Sequence, residues 1–283
     1  MKSYLQEMRL KNWVKNIFVF VPLVFSLGLF NREKLLATLI AFVAFCLVSS
    51  AVYMFNDMCD IDKDRAHPVK QNRPIASGVI TVRKAFVFAT LLAGMGIAIS
   101  FCVNVATGIL VVSYLALNLT YTLKLKHQPI LDCFCIAAGF VLRVYAGGEA
   151  SAEPVSDWLF LTVTATSLFM AFGKRRGELA KVGGSSTREV LQWYNAVFLN
   201  GMVFVCAGLS IVFYSLWAMY RASNMIYTVP LVIFMVSKYL LLIHDDNSHG
   251  DPTAVLFGDK PLCASAGLYG LLTMTLLYFG RDS

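Results

Sequence analysis

A chain of 283 residues that is 58% hydrophobic and only 14% charged is not an ordinary soluble globule. Nine apolar runs of about membrane-spanning length use up nearly all of it and leave no room for a soluble domain of useful size. The net charge of +7 is in part a topology signal and in part a phosphate-binding surface, and no nucleic-acid partner is expected.

The first run, 17–30, follows Lys11, Trp13, Lys15 and Asn16, and a Trp between lysines is a normal interfacial anchor. The run is not a removable signal, because no small-residue cleavage site follows and a second run, 35–55, comes almost at once. That second run leads into 53–78, which is acidic and then basic. At 100° per residue Asn56, Asp57, Asp60 and Asp64 fall within an arc of about 100°, while Asp62 points to the opposite side. Carboxylates on one helical face at a membrane surface need a counter-charge. A hard divalent cation that also holds substrate phosphates supplies one, and Mg²⁺ suits because it keeps several waters and takes one or two carboxylates per ion. The plainer alternative is a solvated juxtamembrane charge run.

The polar loop 67–78 carries Lys70 and Arg73, with Pro68 and Pro74 limiting helix continuation, and is expected to cap the mouth of the bundle. There Arg73 can meet phosphate oxygens as a fork and Lys70 as a point charge, unless both merely obey the charge bias of the topology. Runs 85–102 and 105–120 follow, then Tyr121, Lys124, Lys126 and His127, and a run at 130–147 in which Asp132, Gly139 and Arg143 share a face. A charge as deep as Arg143 needs a partner or a wet cavity. Asp132 is about 16 Å away along the axis, so each requires a partner on another helix or a ligand.

Run 157–172 ends in Gly173-Lys174-Arg175-Arg176-Gly177-Glu178, where Lys174, Arg175 and Glu178 share an arc of about 100° and Arg176 faces away. Runs 195–218, 225–243 and 262–279 complete the chain. Lys238 is expected to snorkel or to pair with an acid, and the acidic loop 244–251 reads as solvated. The seven cysteines show no pairing or metal-ligand spacing and read as small buried hydrophobes. With the N-terminus inside, Lys and Arg divide 18 to 4 in favour of the cytoplasmic side, which places the acidic motif there.

The pattern Asn56-Asp57-x-x-Asp60-x-x-x-Asp64, with Arg73-Pro74 and Ser77-Gly78, resembles the first aspartate-rich motif of the UbiA superfamily of intramembrane prenyltransferases. Within it the chain is most similar to the polyprenyl-phosphate (decaprenyl-phosphate) 5-phosphoribosyltransferase branch. That likeness rests on Lys11-Asn12-Trp13-Val14-Lys15-Asn16, on Asp64-Arg65-Ala66-His67-Pro68 with Lys70, on Leu125-Lys126 with Asp132, on Leu142-Arg143, and on the 174–178 segment. It covers roughly residues 9–194.

The resemblance implies a single polytopic domain over 1–283, all-α, with about nine transmembrane helices in a UbiA-like bundle. It also implies a cytoplasm-facing active site in a bacterial inner membrane. The implied reaction moves 5-phosphoribosyl from 5-phosphoribosyl-1-pyrophosphate to a polyprenyl phosphate, with Mg²⁺ held at Asn56, Asp57, Asp60 and Asp64. Asp57, Asp60, Asp64, Lys126 and Lys174 form the expected catalytic set. Lys15, Asn16, Lys70, Arg73, Tyr121, Asp132, Arg143, Arg175 and Glu178 form the expected substrate contacts. A homo-oligomer is compatible with such a bundle. The rival is a prenyltransferase that moves an isoprenoid onto an aromatic acceptor. That branch carries a second aspartate-rich motif where this chain has a basic segment. A non-enzymatic lipid carrier is the remote alternative, and it calls for a polar path across the bilayer that the few intramembrane charges do not provide.

Overall fold

The computed structural model describes residues 2–180, 189–221, 223–244 and 252–279, and all regular structure among them is helical. Lys181, Arg188, Arg281 and the loop from 245 to 251 lie outside the described residues. The chain divides into two compact units, Met1–Lys126 with Ala138–Val155, and His127–Ala137 with Ser156–Ser283.

The first unit opens with α1 (Lys2–Glu7), followed by a left-handed Arg9 (φ 51°) and an eleven-residue 3-10 stretch, Leu10–Phe20. Then come α2 (Val21–Phe25), a left-handed Leu27 and a short 3-10 turn, Gly28–Phe30. The apolar run at 17–30 is therefore not one spanning helix. Pro22 withholds an N–H from any continuous ladder, and Leu27 turns the chain. The broken segment lies hard against Gly147, where a Cβ would collide with the Val19 carbonyl oxygen.

Asn31 caps α3 (Arg32–Cys59), accepting from the backbone amides of Glu33 and Lys34 at 3.0 and 3.1 Å. At 28 residues α3 rises about 42 Å, and its buried face is rich in small side chains such as Ala41, Ala44, Ser50 and Ala51. Such residues let helices close on each other in a bilayer, where apolar packing has no solvent to escape from. Gly96 shows how close: a Cβ there would meet Val48 Cγ2 at 2.6 Å. Asp60 interrupts the helix for one residue before α4 (Ile61–Arg65). After the polar loop come α5 (Val82–Val103), capped by Thr81, and α6 (Val105–Leu123), capped by Asn104, the one extended residue between them. Val19, Phe45, Val48, Val111 and Ala146 form one core, and Met8, Met54, Ile75, Ile80 and Ala85 a second.

Helix α7 (Leu131–Ser151) contributes its start to the second unit and the rest to the first. The second unit continues with α8 (Asp157–Ala180), α9 (Ala196–Arg221), α10 (Val229–His244), α11 (Pro252–Gly258) and α12 (Lys260–Tyr278). Phe172, Leu199, Val203 and Ile243 join α8, α9 and α10 in a common core. Lys238 pairs with Asp259, the cap of α12, at 3.2 Å.

Among the described residues seven helices are long and apolar enough to cross a membrane, against nine runs in the sequence. The two that differ are the broken first segment and α8, whose last turns are charged. Among the cysteines Cys46, Cys133 and Cys206 are buried as expected, whereas Cys59, Cys102 and Cys263 are exposed.

Candidate active site

The acidic face at the end of α3 is built as the helical spacing dictates. Asp57 and Asp64 are buried and Asp60 is half-buried, while the Asp62 side chain is 93% exposed on the far side. Each inward carboxylate is drawn onto cations. Arg9 Nη2 donates to both oxygens of Asp57, at 2.5 and 2.6 Å. Arg73 Nη1 donates to Asp57 Oδ1 at 3.0 Å and to Asp64 Oδ2 at 2.5 Å, joining the two acids. Lys70 Nζ lies 4.0 Å from Asp64, and Lys126 Nζ donates to Asp60 at 2.7 Å.

The polar loop holds these cations in place. His67 Nδ1 accepts from the backbone amides of Val69 and Lys70, and Arg65 Nε donates to the carbonyl of Ala76. Lys70, Arg73 and Lys126 thus gather on the acids, and Asn56 and Tyr121 are half-buried in the same unit.

Two residues that the sequence reading passed over complete the cluster. Arg9, one of the 18 Lys and Arg residues that the charge bias assigns to the cytoplasmic side, grips Asp57 and lies over the Tyr53 ring at 5.1 Å. Glu7 is 2% exposed, accepts from the Ile75 amide at 2.9 Å, and hydrogen-bonds Asp57. Burial pushes its carboxyl up from 4.5 to about 7, reinforced by the charge of Asp57 and opposed by the Ile75 amide and Arg9.

Asn16 and Arg143 are placed differently from the expectation that they meet substrate. Asn16 is fully buried, accepting from Arg143 Nε at 2.8 Å and donating to Ser49 and Cys46. Its polar atoms are committed, so it has none to offer a lipid phosphate. Arg143, 5% exposed, also donates to Tyr114 and to the Gly139 carbonyl, and its guanidinium faces the rings of Phe45, Tyr114 and Phe140. Among the described residues no carboxylate pairs with it. Neutral acceptors and ring faces carry the charge instead. Lys15, next in sequence to Asn16, is half-buried.

In the second unit Arg175 and Asp132 are fully enclosed. Arg175 Nε meets Asp132 Oδ2 at 2.5 Å, and its Nη1 meets Glu178 Oε2 at 2.7 Å. Tyr194, which the sequence reading also missed, donates to Asp132 Oδ1 at 2.6 Å and accepts from the Ile130 amide. Burial, with Asp132 beside it, holds the Tyr194 hydroxyl well above the ordinary range. Arg175, expected to grip phosphate, and Asp132, expected to contact substrate, are thus both buried and engaged with each other. Arg176 does face away, donating to Asn200 and to the Ile243 carbonyl. Lys174 is half-buried on the same turn, and the Glu178 side chain is 26% exposed.

Three carboxylates on one face, all oxygen donors, suit a hard cation, and Asn56 adds an amide oxygen beside them. Among the described residues no three acidic, His or Cys side chains converge into a cage.

Comparison with known proteins identifies the family. Residues 17–278 match the model of the UbiA prenyltransferase family. The chain is 34% identical to the decaprenyl-phosphate phosphoribosyltransferase of Mycolicibacterium smegmatis, covering 91% of this chain and 87% of that one. It is 33% identical to the enzyme of the same name from Mycobacterium tuberculosis, over 91% and 88%. In fold it is similar to a UbiA homolog from Archaeoglobus fulgidus solved bound to GPP and Mg²⁺. There the TM-score is 0.77 at 16% identity, over 97% of this chain and 99% of that one. The chain is a multi-pass integral membrane protein and belongs to the UbiA prenyltransferase family.

Proposed function

We propose that this transferase moves the 5-phosphoribosyl group of 5-phosphoribosyl-1-pyrophosphate onto a polyprenyl phosphate, releasing pyrophosphate. The observation that carries the reading is the convergence of cations on the acidic face: Asp57, Asp60 and Asp64 are met by Arg9, Lys70, Arg73 and Lys126. Cationic side chains gathered in this way suit a strongly anionic ligand, and a doubly phosphorylated sugar is one. The names of relatives at 33–34% identity support the same branch.

In this mechanism the phosphate oxygens of the donor take over Arg9, Arg73 and Lys126 from the carboxylates. These side chains stabilise charge that grows on the leaving pyrophosphate as the C1–O bond of ribose breaks. Asp57, Asp60 and Asp64, with Asn56 next to Asp57 in sequence, would hold Mg²⁺, which would supply Lewis-acid stabilisation of that same charge. The acceptor phosphate is already anionic near neutral pH, with a second pKa of about 6 by analogy with phosphoamino acids. No residue is needed as a base. Lys174 is our candidate for phosphate contact, and Glu178 for orienting a cation, as it does Arg175 at 2.7 Å, or the ribose hydroxyls. The excess of Lys and Arg on this side of the chain favours a site that faces the cytoplasm, where soluble sugar phosphates are found.

Purified protein incubated with Mg²⁺, polyprenyl phosphate and radiolabelled 5-phosphoribosyl-1-pyrophosphate is expected to give labelled lipid. No labelled lipid, together with pyrophosphate release from a prenyl diphosphate and an aromatic acceptor, would establish the isoprenoid transfer instead.

A further inference from the structure

We propose that Glu7 is a positioning residue of the active site, and that the short helix α1 belongs through it to the donor-binding machinery. The proposal rests on the donor chemistry above. Glu7 reaches the polar loop across 68 residues of sequence, accepting from the Ile75 amide at 2.9 Å. Ile75 is separated from Arg73 only by Pro74, whose ring fixes φ. A hold on Ile75 is thus a hold on the backbone that carries Arg73, the side chain that joins Asp57 to Asp64. In the other direction Glu7 precedes Arg9 by two residues, and Arg9 occupies both oxygens of Asp57. One enclosed carboxyl therefore fixes both arginines relative to the acidic face, and its own hydrogen bond to Asp57 completes the triangle.

Packing alone does not call for an acid here. Helix α1 is already anchored by Tyr4, edge-on to Phe88 with centroids 4.9 Å apart, and by Met8 in the core with Met54 and Ile75. A buried carboxyl among such neighbours is unfavourable unless its hydrogen bonds are made, so its place is explained by what it holds.

Steady-state kinetics of Glu7→Ala, Glu7→Asp and Glu7→Gln test this. Removing the oxygen (Ala), or withdrawing it by about one carbon–carbon bond (Asp), is expected to raise KM for 5-phosphoribosyl-1-pyrophosphate roughly ten-fold. That is the factor corresponding to one ordinary hydrogen bond. KM for the lipid phosphate should stay within about two-fold. Gln, which keeps an oxygen for Ile75 and a donor for Asp57, should bring the donor KM back to within about three-fold of wild type. Equal shifts in both KM values, or Gln as impaired as Ala, would overturn the proposal. The Asp variant keeps charge and burial, so it reports even if Ala does not fold.

Should wild type transfer no phosphoribosyl at all, the functional reading has failed on its own account. Equilibrium binding of inorganic pyrophosphate with Mg²⁺ then tests Glu7 separately. Affinity is expected to fall in Ala and Asp and to recover in Gln, and unchanged affinity across the three would remove the positioning role.

Discussion

Arg175 and Asp132 are 2.5 Å apart, nitrogen to oxygen, and neither side chain is open to its surroundings. Removing Arg175 leaves the buried Asp132 carboxylate without this counter-charge, held by the Tyr194 hydroxyl. Arg175→Met is accordingly expected to destabilise the protein by about 3–5 kcal/mol, seen as a large fall in the thermal midpoint of the detergent-solubilised protein. The double variant Arg175→Met/Asp132→Leu should recover most of that loss, because the orphaned carboxylate is gone. A single variant of normal stability but poor donor binding would restore Arg175 as a phosphate ligand.

Asp57 is the hub on which Arg9, Arg73 and Glu7 converge. Asp57→Asn keeps its shape and loses its charge. Turnover is expected to drop by at least about 100-fold, on the scale of removing one preorganised electrostatic contact, while the protein still inserts and purifies. The same is expected of Asp60→Asn. Near-normal rates in both would move the metal and donor site elsewhere.

Arg73 serves two carboxylates from one nitrogen. Lysine offers a point charge in place of a planar fork, so Arg73→Lys is expected to raise the donor KM by about ten-fold or more and to leave the thermal midpoint within a few degrees. An unchanged donor KM would reduce Arg73 to a loop fastener.

The carboxyl of Glu7 imposes a pH dependence on stability. Its folded value of about 7 stands above the ordinary 4.5, so the native chain keeps a proton that the unfolded chain gives up. Its stabilising contribution is complete below about 4.5 and is lost as pH rises through about 7. Metal-free wild type should therefore lose stability relative to Glu7→Gln between pH 5 and 8, by an amount on the order of 1–3 kcal/mol. Paired melting curves at half-unit pH steps in a chelator check this, and parallel curves would contradict it.

The acidic face was legible in the sequence because it depends only on local geometry. A 100° step places Asp57, Asp60 and Asp64 together and sends Asp62 away, and the burial pattern follows that step. The long helices were legible for the same reason, since composition and length decide them. Arg9 and Glu7 were not, because their partners lie 48 and 68 positions away and no periodicity encodes such a contact. The enclosure of Arg175 depends on Asp132, 43 positions earlier, and on Tyr194. A basic cluster reads alike in sequence whether its charges are open or already answered. The break in the first apolar run was signalled only by Pro22, and hydropathy registers side-chain character without seeing the backbone.

The unwound stretch Leu10–Phe20 has a consequence for biogenesis. Its i→i+3 hydrogen bonds are poorer in geometry than those of a long α-helix, and Asn16 within it is matched by Arg143, 127 residues downstream. The ribosome therefore delivers this segment long before the helix that receives it exists. It reaches its final place only after Arg143 has been made.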